Sequence, residues 1–78
     1  MTIYDLIYVL ESNMNHNIIV ENDALLNYDT NEEVTFEGEV YDFRMTDLYD
    51  EIQDEEVTDL YTLPDGRLVI CYNNEEEK

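Results

Sequence analysis

Apolar residues recur at Ile3, Leu6, Ile7 and Leu10, the i, i+3, i+4, i+7 spacing that lines one face of an α-helix. Thr2 followed by Asp5 resembles a capping box with Asp in place of Glu, so the pattern predicts a short helix over residues 3–11. Asn13, Asn15 and Asn17 surround His16 and end that helix, because their side chains bond readily to nearby backbone. The β-branched run Ile18-Ile19-Val20 then predicts a first strand over residues 17–21. A tight turn at Asn22-Asp23 would return the chain as a second strand over residues 24–28.

The period changes to two after the turn at Asp29-Thr30-Asn31-Glu32. Val34, Phe36, Gly38 and Val40 alternate with Thr35, Glu37, Glu39 and Tyr41, predicting a strand over residues 33–41. Gly38 inside it marks a bulge or a close contact with a neighbouring backbone. Thr46-Asp47 is a candidate cap for one or two helical turns through Leu48, Tyr49 and Ile52. Pro64-Asp65-Gly66 separates residues 57–63 from 67–72 and predicts a hairpin, since Pro presets a turn torsion and Gly supplies positive φ. The expected fold is α+β: an N-terminal helix and an antiparallel-rich sheet of about five strands, with a short helical connection between strands three and four. Residues 1–73 form a single acidic domain in this reading, and residues 74–78 a frayed acidic tail.

Charge changes the picture more than any motif. Twenty-one acidic residues oppose three basic ones in 78, a formal charge of -18, while the hydrophobic fraction of 44% is that of a folded domain. Solubility asks a small domain for a net charge of only about 2–8 in magnitude, so the excess implies a use. Sixteen of the acids lie between Glu21 and Asp65. Glu37 and Glu39 share one face of their predicted strand about 6.8 Å apart, twice the rise per residue. That is of the same order as the phosphate repeat along a nucleic-acid strand. Asp47, Asp50, Glu51, Asp54 and Glu55 would form a second row at i, i+3 and i+4 on a helix, and Asp42 and Asp59 join the two rows as candidate partner-binding carboxylates. Tyr41 and Tyr49, among these acids, are the expected partly exposed anchors, because tyrosine is enriched at interfaces.

Candidate chemistry is sparse. His16 and Ser12 are each the single residue of their kind, and Cys71 falls in a predicted strand among Val69, Ile70 and Tyr72, where a buried inert thiol is expected. No calcium-loop pattern with its bending glycine occurs, so neither an enzyme, a metal site nor a cofactor is expected. The lone cysteine, the absence of a basic leader and the absence of an apolar run of about 18 residues point to the cytosol rather than to a membrane or an oxidising compartment. Nucleic acid and anionic lipid would both repel the chain, and basic proteins are its natural partners.

Small size, extreme acidity, a mixed α/β pattern and no catalytic constellation together resemble the DNA-mimic inhibitors of phages and mobile elements, which include anti-CRISPR proteins and uracil-DNA glycosylase inhibitors. The segment Phe36-Glu37-Gly38-Glu39-Val40-Tyr41-Asp42, with Val57 and with Asp65-Gly66-Arg67-Leu68-Val69-Ile70, also looks like a pattern recurring in small phage proteins. The resemblance implies an inhibitor that blocks the basic DNA-binding groove of a host defence nuclease, such as a CRISPR effector, in the bacterial cytosol. The alternative is an acidic interaction module, antitoxin-like or an assembly subunit, that masks a basic protein without imitating DNA.

Overall fold

The computed structural model describes residues 1–13, 16–25 and 34–74. Helix α1, Ile3–Asn13, starts on the expected reciprocal cap. The Thr2 amide donates to Asp5 Oδ2 at 3.1 Å and the Asp5 amide donates to Thr2 Oγ1 at 3.2 Å, which satisfies two donors that helix geometry leaves open. The Thr2 amide first, and then the Thr2 side chain, hold the Asp5 carboxyl below its ordinary range. Ahead of the helix, Thr2 bridges Glu56 in antiparallel fashion, and the Met1 ammonium pairs with the Glu56 carboxylate at 2.9 Å.

Strand β1, Asn17–Asn22, lies inside the sheet, whose order is β2-β1-β4-β3 with β2 at Val34–Glu39, β3 at Asp59–Thr62 and β4 at Leu68–Tyr72. The continuous run Ile18-Ile19-Val20 suits that position, because an interior strand buries both faces. β1 pairs antiparallel with β2, with Ile18 opposite Gly38 and Val20 opposite Phe36. It pairs parallel with β4, with Val20 opposite Ile70 and Asn22 opposite Tyr72. β3 and β4 form the expected hairpin, closed by Leu63 donating to the Arg67 carbonyl and by Gly66 at φ 95°.

Two short helices, α2 (Val40–Arg44) and α3 (Asp47–Ile52), carry the chain from one sheet edge to the other. They join α1 on one face of the sheet, giving a two-layer α+β domain. Its main core holds Ile3, Leu6 and Ile7 of α1, Val40 and Phe43 of α2, Tyr49 and Ile52 of α3, and Ile18, Val20, Ile70 and Tyr72 of the sheet. Ile19, Val69 and Cys71 project from the other sheet face and form a smaller cluster with Leu63. No described helix is long and apolar enough to cross a membrane.

Four strands, not five, make up the sheet among the described residues. The predicted strand over 24–28 begins instead as a 3₁₀ turn, Asp23–Leu25, and its remaining residues lie outside the described ones. Asn22 causes the change. It is fully buried, its Oδ1 accepts from the Ala24 amide at 3.1 Å, and that bond draws the backbone out of a ladder. The same side chain exchanges bonds of 2.8 and 2.9 Å with the Asn74 backbone, tying the chain just beyond β4 to the end of β1.

The predicted strand over 33–41 stops at Glu39. Val40 keeps the alternating parity but turns into α2, its amide donating to the His16 carbonyl at 2.9 Å and its side chain buried beside Phe43. Gly38 makes its close contact within its own strand: the Phe36 ring lies over it, and a Cβ there would stand 3.0 Å from Phe36 Cζ.

Candidate partner-binding surface

Thr46 organises the acidic helical face. Its hydroxyl donates to the Phe43 carbonyl at 2.6 Å, closing α2, and accepts from the Tyr49 amide at 3.1 Å, opening α3. With Tyr49 and Ile52 thereby turned into the core, Asp47, Asp50 and Glu51 point outward, and Asp54 follows them in the next turn. Asp42 is exposed on α2 beside Tyr41, which is 50% exposed. The ion pairs among the described residues join Met1 to Glu56, Arg44 to Glu11, and Arg67 to both Glu37 and Asp65. None reaches Asp42, Asp47, Asp50, Glu51 or Asp54, so that face keeps its charge.

The strand row is less bare than the sequence implies. Glu37 and Glu39 are both exposed on β2, an edge strand, but Glu37 holds the Arg67 guanidinium together with Asp65. Asp59 lies on β3 at the opposite edge, its Oδ1 accepting from the Leu60 amide at 2.8 Å, and does not join either row. Glu55 is half-buried and accepts from Asn74 Nδ2 at 3.4 Å. The predicted anchor Tyr49 is a core residue, 6% exposed, set edge-on to Phe43 with ring centroids 5.3 Å apart. Its neighbours in sequence are acidic, but α3 turns positions 49 and 52 inward together, and burial pushes its phenol up.

Aromatic exposure is concentrated elsewhere. Tyr4 and Tyr8 are 48% and 60% exposed on the outer side of α1, with ring centroids 6.5 Å apart and planes 24° from parallel. With Asp5 and Val9 they line an open depression of about 460 Å³. The sequence carries the signal for this patch, since Tyr4 and Tyr8 each follow a core position, Ile3 and Ile7, by one residue.

On the sheet, Glu21, Asp23 and Cys71 bring their ligand-type atoms within 4.8 Å of one another. The Cys71 thiol is 3.7 Å from Glu21 Oε2, and the Thr58 hydroxyl donates to Asp23 at 3.1 Å. Burial first, then the charges of Asp23, Glu21 and Asp59, push the thiol up to about 12 from an ordinary 9.0. At pH 8 its thiolate fraction falls roughly a thousandfold below that of a free cysteine, so iodoacetamide should alkylate Cys71 at least that much more slowly than it does the urea-unfolded chain. Linkage has a definite sign here. The unfolded thiol ionises first, so the contribution to stability is complete below pH 9 and is lost as pH rises towards 12. Equal alkylation rates in the folded and unfolded protein would contradict this environment.

No protein-family model, no curated protein and no solved structure matches the chain. The surface itself is therefore the basis for a functional reading.

Proposed function

We propose that this protein is an inhibitor that occupies the basic nucleic-acid groove of a target enzyme, presenting carboxylates where the groove receives phosphates. The observation that carries the reading is the α2–α3 face, where Asp42, Asp47, Asp50, Glu51 and Asp54 are exposed and, among the described residues, paired with no cation. Glu39, at the end of β2 where α2 begins, extends that face towards the sheet edge. Long-range attraction steers such a surface to a groove lined with Arg and Lys. Because the carboxylates are held on folded helices, docking loses less entropy than it would for a flexible acidic tail. The likeness to phage DNA-mimic inhibitors makes a CRISPR effector nuclease in the bacterial cytosol the target class of choice.

A second reading draws on the apolar outer side of α1, which imitation of a phosphate backbone does not require. In that reading the chain masks a basic protein at a site apart from its DNA groove. Competition separates the two. A target captured from host lysate at low salt should bind either a labelled duplex or this protein, never both, and high salt should release the protein. A ternary complex of target, duplex and protein would exclude mimicry and leave the masking module.

A further inference from the structure

A surface helix of an isolated domain is expected to show one apolar stripe and one polar face. α1 departs from this. It buries Ile3, Leu6 and Ile7 on one side and exposes Tyr4, Tyr8 and Val9 on the other. Among the described residues no cation–ring contact is formed at Tyr4 or Tyr8, and the guanidinium of Arg44, on the neighbouring α2, is paired with Glu11 at 2.8 Å. The ring faces are open to a cation from outside.

We propose that the outer face of α1, centred on Tyr4, Asp5 and Tyr8, is a docking surface for an arginine-bearing segment of a basic protein partner. Three observations select this occupant. First, a guanidinium stacks on tyrosine faces and is weakly hydrated, so it fits a shallow, open depression walled by two rings and a valine better than a compact ammonium does. Second, the Asp5 carboxylate in the same depression is held in place by the Thr2 cap, and the Met1 ammonium, whose charge it feels, forms its ion pair with Glu56 instead. Third, a formal charge of -18 on each chain opposes association with a second copy, which removes the other obvious cover for an apolar face.

The patch also adjoins the acidic helices. The Tyr4 amide donates to the Gln53 carbonyl at 2.9 Å, which joins the first turn of α1 to the C-terminal end of α3, where Asp50 and Asp54 are exposed. An aromatic centre beside a charged rim is the usual division of labour in an interface, with the aromatic part providing affinity and the rim steering approach. The proposal rests on the reading of the chain as a ligand for a basic protein, and not on mimicry of DNA.

The test is an amide-shift titration of the ¹⁵N-labelled protein with an acetylated, amidated tetra-arginine peptide. It is run at about 0.3 M salt, where charges farther apart than a Debye length are screened. The signals of Tyr4, Asp5, Tyr8 and Val9 should move most. The Tyr4→Leu/Tyr8→Leu variant keeps apolar cover and removes the ring faces, and its affinity should fall about tenfold, whereas Tyr4→Phe/Tyr8→Phe should bind like the wild type. Shifts confined to α2 and α3, or equal affinity in the leucine variant, would overturn the proposal while leaving the acidic face intact as a site. Dimerisation in sedimentation that the leucine variant abolishes would overturn it in favour of a second copy. Conversely, a ternary complex in the duplex competition removes mimicry and does not touch this surface.

Discussion

Phe43→Ala is expected to remove about 3–5 kcal/mol from the unfolding free energy, a large part of the roughly 4–12 kcal/mol that a chain of this length possesses. Phe43 is fully buried and is the ring through which α2 meets the rest of the core. It stands 5.0 Å from the Phe36 centroid and 5.3 Å from that of Tyr49, and such aromatic pairs contribute about 0.5–1.5 kcal/mol each beyond area. Five residues of helix cannot hold themselves together, so without this ring α2 has little reason to form. Loss of α2 would release Thr46, whose hydroxyl caps both helices, and the acidic face would lose its geometry along with the core. Urea titration followed by circular dichroism measures the effect. A loss below about 1 kcal/mol would mean that the α2–α3 unit stands independently of the sheet.

The second large effect concerns binding. Replacing Asp47, Asp50 and Glu51 together by lysine should weaken the complex with the captured target at least a hundredfold, because three attractions become three repulsions at close range. The fold should persist, since all three side chains are exposed and none forms an ion pair among the described residues. Part of the relief from crowded charge is offset at the start of α3, where Asp47 and Asp50 favour the helix dipole. The clearer sign in the free protein is its response to salt. The wild type should melt at higher temperature as ionic strength rises, and the triple variant should show a smaller rise. Calorimetry at two salt concentrations and a binding isotherm on the same samples test both statements. Undiminished affinity would move the contact away from α3.

What could be read from the sequence was local. The stripe Ile3, Leu6, Ile7, Leu10 and its Thr2–Asp5 cap specify α1, and Pro64-Asp65-Gly66 specifies the hairpin, because each lies within one turn or one period. The outward direction of Asp47, Asp50 and Glu51 was readable for the same reason. Features that depend on distant partners were not. Val40 continues the alternation of β2, and only its packing against Phe43 and its bond to the His16 carbonyl make it helical. Tyr49 has acidic neighbours and a buried ring, a difference set by where Thr46 starts the helix. The pairing of Arg67 with Glu37 reaches across β1 from the hairpin to the far edge, and nothing near either residue announces it. Asn22 reads as a turn residue, and its bonds to Ala24 and Asn74 make it a buried clasp at the end of an inner strand.

The parallel pairing of β1 with β4 has a consequence for the life of the chain. These are the two inner strands of the sheet, and among the described strands β1 comes first along the chain and β4 last. Until Leu68–Tyr72 leaves the ribosome, β1 has β2 on one flank and nothing on the other, so Ile18, Ile19 and Val20 remain without half of their ladder. During synthesis, then, the protein is an unfinished sheet with a strongly charged body. The same carboxylates proposed to draw a basic partner later would keep neighbouring nascent copies from joining at that open edge.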